Sequence, residues 1–236
     1  MAHRFIGKFP LEAKQFWIAD RELSHQVREV LRLEPGEKII LSDGENLEAS
    51  AEIVSFDKEA VEVKILEVSE SSAEPETEVI LYLAILKKEN FELAAQKAVE
   101  AGVSRIVPLL TGHTVKLSIR RDRLEKIIKE AAEQAGRSIL PTLGEETEFK
   151  NAVAEAGRNW LNILFNPGEK RIDLPKNAKG KRIGIFIGPE GGWNELEVQS
   201  AKAAKFKLAG LGKFTLRAET AAMISVYEVV SALEKQ

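Results

Sequence analysis

Apolar and polar positions change period along the chain. Over residues 1–66 the hydrophobic runs are short and broken, as in EKIILSDG at 37–44, LEASAEIVSF at 47–56 and AVEVKILEV at 60–68. Alternation with a period of two puts successive side chains on opposite faces of a strand. Asp43-Gly44 and Asp57-Lys58 separate these runs and are turn signals. One helix is predicted among them, over 24–31. Short strands divided by turns make a small β-barrel the expected form. Residues 67–78, EVSESSAEPETE, are acidic and polar and contain Pro75, so they read as a linker.

After the linker the apolar runs become continuous, as in strands buried on both faces. VILYLAIL (79–86), RIVPLL (105–110), WLNILFN (160–166), RIGIFIG (182–188) and FKLAGLG (206–212) are the strand candidates, with a short one over 139–143. Between them fall helices over 90–101, capped by Asn90 and stopped by Gly102, over 121–135, and over 147–157 with Thr147 as its cap. Two more cover 194–205 and the stretch from 218 onward. Strands alternating with helices predict a parallel sheet. The chain therefore divides into 1–72 and 73–236, the second part being α/β. The last helix is apolar on most of its surface (Ala221, Ala222, Met223, Ile224, Val226, Tyr227, Val229, Val230), so it must be buried deeply or against a second copy.

Composition narrows the chemistry. There is no cysteine, which removes disulfides, cysteine zinc sites and thiolate nucleophiles together. The three histidines, His3, His25 and His113, are not at metal spacing, and no metal is expected. No apolar stretch is long enough for a membrane span, and the first residues lack the core of a signal peptide; a cytoplasmic protein is the expectation. Net charge is −3 but uneven: residues 1–72 hold 9 basic and 15 acidic side chains. Lys116, Arg120, Arg121, Arg123, Lys126 and Lys129 cluster in the second part. They form either a solvated helix face or a surface for phosphates.

The chemistry-bearing stretch is IFIGPEGGWNELE (185–197), a buried strand, a glycine loop and a helix. Asn194 and Glu197 have capping-box spacing, with Trp193 and Val198 at the positions of a hydrophobic staple. The loop is neither G-x-G-x-x-G nor a P-loop, and Glu190 disfavours a polyphosphate. It is either a tight turn without a ligand or a cradle of backbone groups for a neutral or cationic one. Two further strand ends carry loops of the same kind: Phe165-Asn166-Pro167-Gly168 and LGKFTLRAETA (211–221). Ligands of open α/β sheets bind at such ends.

GPEGG after a strand, with L-R-A-E-T-A about 25 positions later, resembles the RsmE family of the SPOUT superfamily, the 16S ribosomal RNA uracil-N3 methyltransferases. Arg4-Phe5, His25 with Val30-Leu31-Arg32, Lys97-Ala-Val-Glu-Ala-Gly-Val103 and Glu133-Gln134-Ala-Gly-Arg137 resemble further signatures of that family. The chain departs from the pattern at Gly112-His113-Thr114 and at Phe214, where the family often carries an arginine.

The resemblance implies a PUA-like RNA-binding barrel followed by a SPOUT α/β domain with a C-terminal trefoil knot, working as a homodimer. It implies an S-adenosylmethionine-dependent methyltransferase acting on N3 of one uridine in small-subunit ribosomal RNA, free or in the assembled subunit. The alternatives are a SPOUT enzyme acting on another RNA site, an RNA-binding module without catalysis, and a nucleotide-binding oxidoreductase, against which the missing G-x-G-x-x-G counts. A cofactor site is implied at Leu164, Phe165, Asn166, Gly188, Pro189, Glu190, Gly191, Gly192, Leu211, Gly212 and Leu216. Uracil N3 must lose a proton before it attacks. Arg217 is the expected stabiliser of the resulting anion, with Arg137 a second charged candidate. Glu219 either orients Arg217 or complements the helix dipole. RNA contacts are expected from Arg4, Lys8, His25, Arg28, Arg32, His113 and Arg120.

Overall fold

The computed structural model describes residues 2–71, 74–87, 89–114, 119–175 and 177–234. The boundary expected between residues 72 and 73, and Lys116 of the basic cluster, lie outside the described residues. The chain forms two compact units. The first consists of Met1–Glu74 together with Ala132–Leu140, and the second of Pro75–Ala131 with Pro141–Gln236.

The first unit is built on a five-stranded sheet. Its strands are β1 (His3–Ile6), β2 (Gln15–Ile18), β3 (Lys38–Ser42), β4 (Leu47–Phe56) and β5 (Val61–Glu70), in the order β1-β3-β4-β5-β2. β1 runs parallel to β3 and the other pairs are antiparallel. Among the described residues no ladder joins β1 to β2, the two ends of this order. Helical residues Leu23 and Val27 join the strand side chains Ile39, Leu41, Ile53 and Val63 in one core.

The predicted helix over 24–31 begins earlier and changes type. Asp20 accepts hydrogen bonds from the amides of Glu22 and Leu23, a side-chain cap that starts α1 (Arg21–His25). The chain then widens into a π-helical turn, Gln26–Val30, and leaves it through Arg32 at φ 54°.

The expected linker is shorter than the sequence suggests, because β5 continues to Glu70. It also carries a buried group. Both oxygens of Glu74 are engaged, one by Arg137 at 2.8 Å and the other by the amides of Ser138 and Ile139 at 2.8 and 3.0 Å. The Glu74 and Arg137 side chains are 9% and 8% exposed. Glu133 accepts from the amide of Ile6 at 2.8 Å, and the hydroxyl of Ser42 donates to the Ser138 carbonyl at 2.9 Å. The Glu133–Arg137 signature thus secures the 132–140 segment within the first unit.

The second unit is a parallel sheet with helices. Its strands are β6 (Glu78–Ala84), β7 (Arg105–Leu110), β8 (Thr142–Leu143), β9 (Thr147–Glu148), β10 (Leu161–Phe165), β11 (Arg182–Ile187) and β12 (Lys207–Ala209). They run in the order β12-β10-β11-β6-β7-β8, with β9 paired to β7. The continuous apolar runs read in the sequence are the buried strands β6, β7, β10 and β11. Tyr82 and Phe186, on adjacent strands, stack at 4.2 Å in the core.

The helices are α2 (Asn90–Glu100), α3 (Arg121–Gln134), α4 (Phe149–Glu155), α5 (Glu195–Ala203) and α6 (Ala218–Glu234). α2 ends at Gly102 as predicted; its φ is 100°, and the Val103 amide reaches back to the Ala98 carbonyl. Two predicted caps are not caps. Asn90 is already inside α2, and Glu89 precedes it without a side-chain capping bond. Thr147 lies in β9, with its hydroxyl donating to the Glu145 carbonyl. Among the described residues no helix is long and apolar enough to cross a membrane.

Candidate functional site

Parallel strands place their carboxyl ends on one edge, and four neighbouring strands, β12, β10, β11 and β6, do so side by side. The loops leaving them surround a cavity of about 570 Å³. From the end of β10 come Phe165, Asn166 and Pro167; from the end of β11, Ile187 to Glu190, Gly192 and Trp193. After β12 come Leu211, Gly212 and Phe214 to Glu219, and after β6, Lys87 and Asn90. This is the position where open α/β sheets hold ligands.

The glycine loop is fixed from several sides. The capping box of α5 is complete: the Glu197 amide donates to Asn194 and the Asn194 amide to Glu197, both at 2.9 Å. The second Glu197 oxygen accepts from the Gly112 amide at 2.8 Å, and His113 Nδ1 lies 3.1 Å from the Gly192 carbonyl. Trp193 donates from its indole nitrogen to the Phe165 carbonyl at 2.9 Å, joining the loops after β10 and β11. Its ring packs against Phe149 at 5.2 Å and covers Gly188, where an added Cβ would meet it at 3.1 Å. Glu190 accepts from the Lys87 amide at 3.1 Å. That carboxylate ties the glycine loop to the end of β6, a link unreadable from the sequence.

Most of the predicted cofactor positions line this cavity: Phe165, Asn166, Gly188, Pro189, Glu190, Gly192, Leu211, Gly212 and Leu216. Leu164 does not; it is fully buried in the core because its β10 position faces into the unit. Gly191 does not either, since it is exposed and backs onto His113. Lys87, Asn90, Ile187, Trp193 and Thr215 also line the cavity, and sequence reasoning missed them. The apolar and indole side chains could have been suspected only from their places beside the glycines.

The charged candidates separate. Arg217 and Glu219 both line the cavity. The Arg217 side chain is 86% exposed and its guanidinium is 4.0 Å from a Glu219 oxygen; Glu219 is 9% exposed. The other Glu219 oxygen is buried with no hydrogen-bond partner among the described residues. A buried carboxylate oxygen without a donor is costly, and it marks where a ligand donor or cation would be stabilised. Arg137 is not part of the cavity. Its guanidinium is held by Glu74, away from the residues that line the cavity.

The predicted RNA contacts divide as well. Arg4 pairs with Glu48 at 2.6 Å and both side chains are largely buried, so Arg4 is withdrawn from the surface. Lys8, His25, Arg28, Arg32 and Arg120 are exposed, and His113 holds the glycine loop. The basic stretch of α3 is mostly engaged internally: Arg121 with Glu125 and Glu145, Arg123 with Glu92, while Lys126 and Lys129 also interact. That favours a solvated, ion-paired helix face over a phosphate surface. Among the described residues, no group of His, Asp and Glu side chains is placed to hold a metal ion.

An RNA methyltransferase domain model matches residues 73–229, and an RNA methyltransferase PUA domain model matches residues 26–66. Ribosomal RNA small subunit methyltransferase E of Mesomycoplasma hyopneumoniae is 34% identical over 68% of this chain and 72% of its own. The protein of that name from Rickettsia conorii is 30% identical over 95% of this chain and 93% of its own. The crystal structure of a ribosomal RNA small subunit methyltransferase E from Neisseria gonorrhoeae, bound to S-adenosyl methionine, superposes with a TM-score of 0.88 at 27% identity, covering 98% of each chain.

Proposed function

The chain belongs to the ribosomal RNA small subunit methyltransferase E family: it is an S-adenosylmethionine-dependent methyltransferase of small-subunit (16S) ribosomal RNA, and we propose that the atom it methylates is N3 of one uridine. The observation that carries the site assignment is the cavity formed by the four strand-end loops. Its volume, about 570 Å³, is in the range of small-molecule sites, roughly 300–1,000 Å³. Its walls combine apolar side chains with the carboxylates of Glu190 and Glu219 and carry no phosphate-binding motif, which suits a cofactor that carries no phosphate. The unpartnered Glu219 oxygen suits a cationic one.

When bound, S-adenosylmethionine supplies the methyl group. The loops at Phe165–Pro167, Gly188–Gly192 and Leu211–Leu216 would hold it. Arg217, at the mouth, stabilises the uracil anion left when N3 gives its proton to solvent before the site closes over the base. Glu219 orients Arg217. No covalent adduct is needed, since positioning an acceptor in line with the methyl group supplies much of the rate.

Gly188→Val is expected to abolish cofactor binding. The new side chain meets the Trp193 ring first and displaces it from the Phe165 carbonyl, so two walls of the cavity move. Unchanged calorimetric affinity in a folded variant would remove the loop from the site.

Two further readings belong to this proposal. The C-terminal part is a trefoil knot. In support, β12 pairs with β10, which precedes β11 in sequence, and a Cβ on Gly210 would fall on the Glu169 carbonyl. The enzyme is a cytoplasmic homodimer joined through α6, which leaves Met223 and Ile224 half-buried and Tyr227 exposed. Sedimentation equilibrium at micromolar concentration should return twice the chain mass; a monomer would contradict the dimer.

The central test titrates S-adenosylmethionine and NAD separately, then follows single-turnover methylation of small-subunit ribosomal RNA and of assembled subunits. Binding of the first alone, with 3-methyluridine as product, is the expected result. A methyl group on another atom would overturn the N3 assignment and spare the cofactor site.

A further inference from the structure

Phe214 is 86% exposed, the most exposed large apolar side chain among the described residues. Isolated surface hydrophobics are ordinary, but this one stands at a shared boundary. It lines the large cavity and also an adjoining groove of about 510 Å³ that includes Pro167, Glu169, Arg171 and Lys213. Gly212, at φ 131°, opens the loop that carries the ring outward.

We infer that Phe214 is the platform on which the target base stacks when it leaves the RNA strand and turns toward the cavity. This rests on the reading that the substrate is a uridine in RNA. A base reached by an enzyme in this way loses its stacking neighbours, and exposed aromatic rings replace them in proteins that bind splayed-out bases. Two sources of an aromatic base are available, the cofactor's adenine and the RNA. The RNA base is the occupant for two reasons. The ring lies on the ridge between cavity and groove. It also follows the exposed Lys213 directly in sequence, and phosphates accompany an RNA base but not this cofactor. In the groove itself Arg171 is occupied by Glu228 and Glu169 adds a negative charge, so Lys213 is the groove cation that faces the phosphate beside the base, while Arg217 lines the cavity and faces the base itself.

The test uses the full-length protein with Phe214→Ala, Phe214→Trp and an RNA fragment of the small subunit. Stacking on an aromatic side chain is worth enough that Phe214→Ala should weaken RNA half-saturation in single turnover about tenfold or more, with S-adenosylmethionine affinity kept. Phe214→Trp should restore the rate, and the fluorescence it adds should be quenched by RNA but not by the cofactor. Wild-type RNA affinity in Phe214→Ala, or no quenching by RNA, would overturn the platform. Quenching by the cofactor instead would assign the ring to adenine. If RNA quenches the fluorescence while wild-type enzyme yields no methylated uridine, the platform stands and the proposed reaction falls.

Discussion

Glu74→Ala is expected to destabilise the first unit by about 3–5 kcal/mol, the usual consequence of leaving one member of a buried ion pair alone. The carboxylate accepts from the Arg137 guanidinium and from two backbone amides. Removing it strands a charge and two donors in one step, and unfastens the 132–140 segment. Arg137→Met should cost a comparable amount by leaving the carboxylate unpaired. The double variant should be more stable than the sum of the two losses implies, because two apolar groups leave no charge stranded. Burial alone would raise the Glu74 pKa, but the Arg137 guanidinium and the Ile139 and Ser138 amides outweigh it and hold the carboxyl below its ordinary 4.5. A depressed carboxyl contributes fully above its unfolded value and loses that contribution as pH falls through the folded one. The gap between wild type and Glu74→Gln should therefore narrow only below about pH 4.5. Urea unfolding across pH measures this; a single-variant loss under about 1 kcal/mol would reduce the pair to an ordinary surface contact.

That pair also marks the limit of what the sequence discloses. Local signals were legible where the local term decides the conformation. The capping box at Asn194 and Glu197 formed as spaced, Gly102 ended α2, and the continuous apolar runs became the buried strands of the second unit. Local signals failed where a competing partner took the residue. Thr147 has the side chain of a cap, but the ladder with β7 drew its backbone into a strand. Glu74 sits in an acidic, proline-bearing stretch that reads as solvated, and only a partner 63 positions away makes it core. The site followed the same rule. Three glycine-bearing strand ends could be listed from the sequence and do converge on one cavity. The contribution of the β6 loop could not be, because it depends on β6 lying beside β11 and on the Glu190 carboxylate reaching the Lys87 amide. Arg4 and Arg137 were read as free cations because composition does not reveal pairing; their carboxylates lie 44 and 63 positions away.

Arg217→Ala is expected to leave S-adenosylmethionine and RNA binding near wild type and to slow single-turnover methyl transfer about a hundred- to a thousandfold, or roughly 3–4 kcal/mol, as for loss of one oxyanion-stabilising donor. The argument turns on exposure. In the protein without RNA the Arg217 side chain is 86% exposed, and a guanidinium in water gains little from any single anion. Its effect must therefore appear when the base enters and excludes water, raising the strength of the same interaction as charge develops on the uracil. The loss should accordingly fall on the rate at saturating RNA rather than on half-saturation. Glu219 is placed to hold the guanidinium over the mouth, with one oxygen 4.0 Å from it. Glu219→Gln should then reproduce part of the rate loss while Arg217 remains. Arg217→Lys should recover only a fraction, because an ammonium lacks the planar, fixed donors that can be aimed at a uracil carbonyl oxygen while the N3 lone pair stays open for attack. The pH profile supplies the independent readout. With the anion less stabilised, the deprotonated uracil is harder to reach, so the Arg217→Ala rate should keep rising with pH beyond the point where wild type levels off. A near wild-type rate with an unchanged pH profile would take Arg217 out of the reaction and leave it as a contact to RNA alone.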